Sequence, residues 1–358
     1  MELHLVSGFL GSGKTTAIAA ACNRLAAMGY RTAAIANDQG KTLVDSLFFA
    51  SAGIHSTEVT DGCFCCRYDD LLAAIEKLVD QDSLDMVFAE AVGSCTDIVA
   101  TVVNPLQRDL HSYIRLASYS VFCDIQQIGL WLSGVGLPFS DEICYIFEKQ
   151  LEEASMIVIN KSDLLPDASA RRIMTMMESR FPSKPVLLQS SLTPEGVQDW
   201  ISAIRSGRLT RPEPVAVDYE RYGAGEARLA WYDAKITATA ASDLAAVAEA
   251  FVRALCNRID ERALPIGHLK LQLPGLPRPI KLSFTAISEA REVAIPSPVG
   301  PEIVMVLNAR IECDAEELRA MVHASLRDAS RTDPTLRWHV ANEQCFHPAF
   351  PRPKHRIG

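Results

Sequence analysis

The residues of this sequence best suited to chemistry include three closely spaced cysteines. They lie in the segment Gly62-Cys63-Phe64-Cys65-Cys66, which is turn-rich and precedes a helical pattern from Asp69 to Val79. Three thiols within four residues can offer two or three sulfurs to one tetrahedral ion such as Zn²⁺, with further ligands from elsewhere. Such an incomplete ligand set suits a site that passes a metal on.

Two other uses of these thiols stay open. Clustered thiols can form a disulfide in redox chemistry, and they can also be purely structural. A structural zinc site usually has two separated ligand pairs, and no second CxxC or HxxxH pair is visible. Of the ten cysteines in the chain, five lie singly in apolar stretches and are predicted core residues: Cys22, Cys123, Cys144, Cys256 and Cys313.

A second chemical feature is the glycine-rich segment GFLGSGKTT at residues 8–16. An apolar strand at Leu3–Val6 precedes it and a helix-forming run from Ala17 to Met28 follows, which is the context of a Walker A phosphate-binding loop. In such a loop the lysine reaches the β- and γ-phosphates and takes part in catalysis, while the threonine holds Mg²⁺. The predicted nucleotide-binding residues are Gly8, Gly11, Ser12, Gly13, Lys14, Thr15 (also the Mg²⁺ ligand) and Thr16.

The predicted base is guanine, because of a motif at the end of the strand Met156–Ile159. The strand runs into Asn160-Lys161-Ser162-Asp163, and a carboxylate there can accept hydrogen bonds from N1 and from the exocyclic amino group of guanine. Adenine cannot supply this pair of donors, so the motif favours GTP over ATP. Asn160, Lys161 and Asp163 are therefore predicted nucleotide contacts, and Ser190, after the strand Val186–Leu188, is a further candidate.

The strand Asp85–Ala89 also ends in an acid. Glu90 is a candidate catalytic residue that polarises the Mg²⁺ water shell or the attacking water, and the Gly93 amide can contact the γ-phosphate. The alternative is a strand-terminal glutamate in a solvated loop.

A candidate switch segment follows the strand Ala33–Ala36. It begins at Asn37-Asp38 and runs through Lys41 and Thr42 to Asp45, starting at the strand end where ligands collect in doubly wound sheets. Asp38 is a candidate for catalysis at the nucleotide Mg²⁺ or for ligation of the thiolate-bound metal, and the sequence does not choose between them. Asn37-Asp38 can also be a simple turn.

The elements around these residues predict two domains. Residues 1–212 alternate apolar strands with helical patterns, as in an α/β P-loop GTPase fold with a doubly wound, mostly parallel sheet. A proline-rich linker at 211–214 leads to residues 213–358, predicted as a smaller α+β, ferredoxin-like domain with strands that include 280–287 and a Pro-rich tail. Cys345, His347 and His355 are a weaker candidate metal site, since their spacing matches no closed zinc pattern.

Composition narrows the class of protein. The net charge of −9 and pI near 5.5 argue against nucleic-acid binding, which needs a basic surface. No apolar run has membrane-spanning length, and the first residues show no signal-peptide pattern. We therefore expect a cytoplasmic protein with neither nucleic acid nor membrane as a partner.

In combination, these motifs resemble the CobW-like GTPase metallochaperones, relatives of the nickel-insertion GTPases HypB and UreG. The resemblance covers about the first two hundred residues. Its carriers are the 8–16 loop, Asn37–Gly40 with Asp45, Gly62–Cys66, Glu90–Gly93 and Asn160–Asp163. The continuation Gly93–Asp97 resembles a subgroup labelled cobalamin-synthesis-like.

The resemblance implies a GTPase that uses GTP·Mg²⁺ and binds Zn²⁺, or a related ion such as Co²⁺, at Cys63, Cys65 and Cys66. We expect slow intrinsic hydrolysis, because no cis arginine finger is evident in the sequence. The implied partners are GTP/GDP and a metal-receiving client protein or corrinoid-related enzyme, and a homodimer stays open. Asp38-Gln39 stands where many relatives have Glu-Phe, and the eight histidines are scattered rather than clustered. The alternatives are a P-loop kinase or ATPase with structural thiols, and a GTP-dependent activator of a corrinoid enzyme.

Overall fold

The structure is a computed structural model that describes residues 1–40, 44–81, 83–193, 195–207, 209, 211–241, 243–276, 279–286, 293–298 and 300–358. Lys41 and Thr42 of the predicted switch segment, and the end of the predicted strand 280–287, lie outside the described residues.

The described part of the chain forms parallel and antiparallel sheets, with strands at positions set by short apolar runs. The strands are β1 (Glu2–Gly8), β2 (Thr32–Asn37), β3 (His55–Val59), β4 (Met86–Glu90), β5 (Arg115–Asp124), β6 (Met156–Asn160), β7 (Val186–Leu188), β8 (Leu229–Thr239), β9 (Ile266–Leu273), β10 (Ile280–Phe284), β11 (Glu302–Glu312) and β12 (Arg337–Phe346).

Helices connect most of these strands. They are α1 (Lys14–Ala27), α2 (Val44–Ser51), α3 (Tyr68–Gln81), α4 (Asn104–Asp109), α5 (Ile125–Leu132), α6 (Asp141–Glu153), α7 (Asp167–Arg180), α8 (Gln198–Arg205), α9 (Tyr219–Arg228), α10 (Leu244–Glu261) and α11 (Ala315–Ala329). A π-helical turn at Val99–Val103 precedes α4. No helix in the described ranges is both long and apolar enough to cross a bilayer.

The chain divides into two compact units, neither of which is continuous in sequence. The first comprises Met1–Gln39, Ala52–Gly225 and Phe350–Gly358, and the second comprises Gly40–Ser51 and Glu226–Ala349. The sequence predicted a single boundary at residues 212 and 213 instead. The difference arises because most of α9 and the segment 350–358 pack within the first unit, whereas α2 packs within the second.

The first unit is built on a seven-stranded sheet in the order β3-β2-β4-β1-β5-β6-β7, with every described pairing parallel. The central strands β1, β4 and β6 are almost entirely buried, as expected of strands covered by helices on both faces. The predicted doubly wound α/β fold is confirmed. The carboxyl ends of β1, β2, β4 and β6 therefore meet at one edge of the sheet.

The second unit has a five-stranded antiparallel sheet in the order β10-β9-β11-β8-β12. Leaving out β10, the elements β8, α10, β9, β11, α11 and β12 follow the β-α-β-β-α-β order of a ferredoxin-like domain, with β10 added at the edge. The predicted core residues Leu244 and Phe251 of α10 and Leu318 and Val322 of α11 are buried. The predicted smaller α+β domain is thus present.

Helix α2 is tied to this second sheet by polar contacts. The Val44 amide donates to Asn308 Oδ1 at 3.0 Å, and the Asp45 carboxylate pairs with Lys270 Nζ at 2.7 Å and Lys281 Nζ at 2.9 Å. Burial opposes the charge of Asp45, but the two ammonium groups hold the pKa of its carboxyl well below the usual range. Asp45, predicted to end a nucleotide switch, is therefore an anchor within the second unit.

Candidate nucleotide and thiolate sites

The glycine-rich loop joins β1 to α1 with a backbone that requires glycine. Gly8 and Gly13 have φ of 129° and 86°, a region that L side chains rarely adopt. A Cβ on Gly8 would lie 2.0 Å from the Phe122 carbonyl oxygen, and one on Gly13 would lie 2.3 Å from Asn160 Nδ2. The loop can therefore turn its amides inward, as a phosphate cradle needs.

Lys14 and Thr15 begin α1 at the bottom of this loop. The Lys14 ammonium donates to the carbonyl oxygens of Gly8 at 2.7 Å and Phe9 at 3.2 Å, which holds it beneath the cradle. The Thr15 hydroxyl donates to Glu90 Oε1 at 3.0 Å, so the predicted Mg²⁺ ligand and the predicted catalytic acid lie together. Hydroxyl and carboxylate oxygens are the ligands that Mg²⁺ prefers.

The segment after β4 packs against the glycine-rich loop. A Cβ on Gly93 would lie 3.0 Å from the Leu10 amide nitrogen, so a side chain at this position would require the neighbouring loop to shift. Gln150 of α6 fixes the segment by donating to the carbonyl oxygens of Gly93 at 3.0 Å and Cys95 at 2.8 Å. The Gly93 backbone is thus next to the predicted phosphate site. Ser12 is buried and Thr16 is half-buried in the same region.

The motif at the end of β6 is attached to the loop through Asn160. Its Nδ2 donates to the Ser12 carbonyl at 2.8 Å, and its Oδ1 accepts from the Ser191 hydroxyl at 2.8 Å. The Ser190 hydroxyl donates to Asp163 Oδ1 at 2.5 Å, so the structure brings together the two predicted base contacts. Their part in binding guanine stays a prediction.

Sequence reasoning missed Asp124, at the end of β5. Its buried carboxylate pairs with Lys161 Nζ at 2.7 Å and caps α5 by accepting from the Gln126 amide at 2.7 Å. Lys161 has a left-handed φ of 62°, a conformation that this ion pair helps to hold. The sequence signal that could have identified Asp124 is an acid at the end of an apolar strand, and the same kind of signal identified Glu90.

The three cysteines of the loop after β3 form one sulfur cluster. Their sulfurs lie within 4.8 Å of one another, and within the described ranges this is the only such group of potential metal ligands. Cys63 and Cys65 are separated by 2.8 Å and Cys65 and Cys66 by 3.8 Å. Zinc–sulfur bonds of about 2.3 Å in a tetrahedron place sulfurs roughly 3.8 Å apart. A metal would therefore fit after one pair moves apart by about 1 Å.

Asn37, at the end of β2, positions the cysteine loop. Its Nδ2 donates to the carbonyl oxygens of Val59 at 2.9 Å and Gly62 at 2.8 Å, while its Oδ1 accepts from the Phe64 amide at 2.9 Å. Sequence reasoning considered only a turn or a switch here. Asp38, predicted as a possible ligand, contributes its backbone amide to Val59 at 3.3 Å, and its carboxylate is not part of the sulfur group.

A fourth cysteine, Cys95, affects the cluster, and sequence reasoning did not connect it with these thiols. The fully buried Cys95 thiol influences the pKa values of Cys63 and Cys65, although it is not one of the three sulfurs that lie within 4.8 Å of one another. Side-chain hydrogen bonding to Cys65, Cys66 and Cys95 holds the pKa of Cys63 well below its usual range. Side-chain hydrogen bonding to Cys63, Cys66 and Cys95 raises the pKa of Cys65. The cluster thus favours one thiolate surrounded by thiol donors.

Residues 350–358 cover the cysteine loop. The Lys354 amide donates to the Cys65 carbonyl at 2.9 Å. Arg356 pairs with the buried Asp97 at 2.8 Å, and Tyr219 of α9 donates to the same carboxylate at 2.6 Å. The predicted tail is therefore a fixed part of the first unit.

The weaker candidate site at Cys345, His347 and His355 draws its residues from both units. The His355 ring packs edge-on against Tyr68 in the first unit. In the second unit, Cys345 donates to the Ala315 carbonyl at 2.8 Å and His347 contacts the Ala315 amide at 3.2 Å. Each of the three side chains is therefore engaged in packing or in local hydrogen bonds within its own unit, and a metal site there stays a prediction.

A sequence model described as "CobW/HypB/UreG, nucleotide-binding domain" matches residues 2–187, more than half of the chain. The chain belongs to the CobW/HypB/UreG family. The predicted resemblance is confirmed, and the match includes the glycine-rich loop, the cysteine cluster and the motif at the end of β6. The match covers most of the first unit.

Relatives in the family include proteins named as zinc chaperones. CobW of Sinorhizobium sp is 26% identical over 209 residues, which are 52% of this chain and 58% of that protein. YjiA of Escherichia coli (strain K12) is 28% identical over 173 residues, which are 47% of this chain and 51% of that protein. The chain thus matches little more than half the length of these relatives.

Solved structures of the family show the same kind of similarity. Zn(II)-bound YjiA GTPase from E. coli aligns with 91% of this chain and 99% of its own, at 17% identity and a TM-score of 0.37. HypB from Helicobacter pylori in complex with nickel aligns with 59% of this chain and 90% of its own, at 17% identity and a TM-score of 0.43.

The family's nucleotide-binding domain here contains a buried acid, Glu153, at the end of α6. Burial raises the pKa of its carboxyl from 4.5 to about 8, although the Val99 amide and the Thr96 hydroxyl donate to it. Between pH 4.5 and about pH 8, the Glu153 carboxyl of the folded chain keeps a proton that the unfolded chain releases. Stability is therefore full below pH 4.5 and falls as the pH rises through 8, by up to about 1.4 kcal/mol per pH unit.

A Glu153→Gln chain should lose this pH dependence while keeping an oxygen acceptor. We subtract the free energy of unfolding of the native chain from that of Glu153→Gln at each pH. This difference should increase by roughly 2 kcal/mol from pH 6 to pH 8. Urea titrations at both pH values measure the change. Exposed Glu178 of α7 provides the control Glu178→Gln, which should follow the native chain. Parallel pH profiles for Glu153→Gln and the native chain would contradict the assignment.

Proposed function

We propose that this chain is a GTP-hydrolysing metallochaperone that binds Zn²⁺ or Co²⁺ at its cysteine cluster and transfers the ion to a client protein. The metal is cargo in this proposal. The observation that carries it is the set of three hydrogen bonds by which Asn37 holds the cysteine loop. Asn37 ends β2 and begins the candidate switch, so one strand end serves both the metal loop and the nucleotide edge of the sheet.

The nucleotide half of the proposal assigns roles to residues that the structure brings together. Lys14 contacts the β- and γ-phosphates, and Thr15 with Glu90 supports Mg²⁺ and the attacking water. Gly93 contributes its amide to the γ-phosphate, and Asp163 with Ser190 selects guanine. Carboxylate and hydroxyl partners of this kind support slow hydrolysis, since no arginine is assigned to stabilise the transition state.

Coupling between the sites requires that the bound nucleotide change the affinity for metal, and the reverse follows by linkage. Bound GTP shifts the end of β2, Asn37 transmits this shift to the amide of Phe64 and the carbonyl of Gly62, and the sulfurs change position. Because two sulfurs already lie closer than a tetrahedral ion allows, a small shift of the loop alters metal affinity.

The proposal is tested by calorimetric titration of Zn²⁺ and of Co²⁺ into the chain loaded with GDP or with a non-hydrolysable GTP analogue. We expect metal affinities that differ by about fivefold or more between the two states, as in typical allosteric coupling. Equal metal affinities in the two nucleotide states would contradict the proposed coupling. Competition with ATP in the same experiment addresses the alternative of a kinase or ATPase, which would bind ATP tightly regardless of GTP.

An Asn37→Ala chain should lose the coupling between the nucleotide site and the metal site. We expect it to bind GTP and metal individually, with the ratio of metal affinities in the two nucleotide states falling towards one, because the link from β2 to the loop is lost. Asn257 of α10 is exposed and lies in the other unit, so Asn257→Ala is the matched control and should keep the native ratio. An unchanged ratio in Asn37→Ala would show that coupling does not pass through this residue.

A further inference from the structure

Residues 350–358, here called the strap, lie along the cysteine loop within the first unit. The Lys354 amide donates to the Cys65 carbonyl at 2.9 Å, so the strap is bonded to the loop that carries the thiols. Further along, the Ile357 amide donates to the Ala100 carbonyl at 2.8 Å, in the π-helical turn. Backbone hydrogen bonds thus attach the strap to two segments of the first unit.

Two acidic side chains bind the cations of the strap. Lys354 pairs with Asp69 at the start of α3, and both of these side chains are exposed. Arg356 pairs with Asp97 at 2.8 Å, and there the carboxylate is completely buried whereas the arginine is 43% exposed. Asp97 has a left-handed φ of 61°, so an uncommon backbone conformation sets this carboxylate in place. A buried acid therefore takes its cation from a surface segment.

The buried acid limits what can replace the strap. Asp97 also accepts from the Tyr219 hydroxyl at 2.6 Å, but this hydroxyl is neutral, and a buried carboxylate without a cation is strongly destabilised. A replacement must therefore bring a cation to Asp97. It must also bring an N–H donor for the Cys65 carbonyl, which the Lys354 amide occupies. An extended peptide segment with a basic side chain supplies both groups.

A client that receives the metal must reach the cysteine loop, where Cys63 and Cys65 are only 5% and 2% exposed. We propose that a basic, extended segment of the client takes the place of the strap and brings the client against this loop. The docking surface consists of Asp69, Asp97 and the Cys65 carbonyl. This inference rests on the proposed metal function and adds the chemistry of the partner that the metal site meets.

The rate at which iodoacetamide labels the metal-free chain, read for each cysteine by mass spectrometry, measures opening of the strap. Arg356→Gln removes the cation of the buried pair, so Cys63 and Cys65 should be labelled about tenfold faster than in the native chain. Arg352→Gln removes the same charge from an exposed position of the strap and should keep the native rate. Slow labelling of buried Cys22 in α1 reports an intact fold in every chain. Native rates in Arg356→Gln would overturn the proposal.

A second pair of variants tests the strap without altering the pair at Asp97. Lys354→Pro and Lys354→Ala both lose the ammonium group, but only proline also removes the amide that donates to the Cys65 carbonyl. We expect Cys65 to be labelled about fivefold faster in Lys354→Pro than in Lys354→Ala. Equal rates in the two chains would contradict the proposal, and this comparison decides if Arg356→Gln does not fold.

A synthetic peptide with the sequence of residues 350–358 serves as the separate basic segment. Added to Arg356→Gln at roughly millimolar concentration, to compete with the attached strap, it should return cysteine labelling towards the native rate. The same peptide with the Arg356→Gln substitution should give no protection. Failure of the native peptide to protect would overturn the docking surface. A native chain that binds neither Zn²⁺ nor Co²⁺ would overturn the proposed function instead, because the labelling experiments use no metal.

Discussion

A Lys14→Ala chain is expected to bind GTP about a hundredfold more weakly than the native chain, or worse. The ammonium lies under the glycine-rich loop, bonded to the carbonyl oxygens of Gly8 and Phe9, where it can reach phosphate oxygens. A hydrogen bond to a charged group contributes about 1.5–3 kcal/mol, and contacts to two phosphates together exceed the roughly 2.7 kcal/mol that a hundredfold change requires.

Calorimetry with GDP and a GTP analogue measures this loss. Lys77 of α3 is exposed, and the matched control Lys77→Ala should bind both nucleotides as the native chain does. Zinc affinity of nucleotide-free Lys14→Ala should match the native value, because the Lys14 ammonium donates to the carbonyl oxygens of Gly8 and Phe9 within the glycine-rich loop. Native GTP affinity in Lys14→Ala would mean that the loop is not the phosphate site.

An Arg310→Met chain is expected to lose about 3–5 kcal/mol of stability in the second unit. Arg310 and Asp233 are fully buried and pair at 2.7 Å, and Asn308 Nδ2 donates to the same carboxylate oxygen at 2.5 Å. The guanidinium also stacks over the Trp231 ring at 3.9 Å. Removing the arginine leaves a carboxylate in the interior of the sheet without its cation.

Urea titration followed by circular dichroism gives the change in free energy of unfolding. The double variant Arg310→Met/Asp233→Asn removes both charges and should recover much of the loss. Arg253 and Glu249 form a surface pair on α10, so Arg253→Met is a control that should cost less than about 1 kcal/mol. A loss in Arg310→Met no greater than in the control would show that the buried pair contributes nothing specific.

The glycine-rich loop and the motif at residues 160–163 could be predicted because each is a short run whose spacing sets its local backbone. Gly8 and Gly13 need positive φ, and this need shows in the sequence as glycine. Strand order could be predicted only as a class, because parallel strands are separated by helices and their neighbours are chosen by packing across the whole sheet.

What the sequence did not predict depends on contacts between distant segments. Cys95 is far along the chain from Cys66, so no spacing rule joins them. Asn37 looked like a turn residue, yet both ends of its amide bond to the cysteine loop. The proline-rich tail suggested an extended segment, and its attachment through Arg356 and Asp97 follows only from the folded chain.

Residues 40–51 belong to the second unit, and this limits how the chain can be truncated or recombined. Strands β2 and β3 belong to the first unit, yet the helix between them, with its buried Val44 and Phe49, needs β9 and β11 for its packing and Lys270 and Lys281 for its charge. A chain ended at residue 225 would keep this helix and lose β9, β11 and the two lysines. Recombination that exchanged the second unit between two proteins would also have to exchange residues 40–51, which lie in sequence between two segments of the first unit.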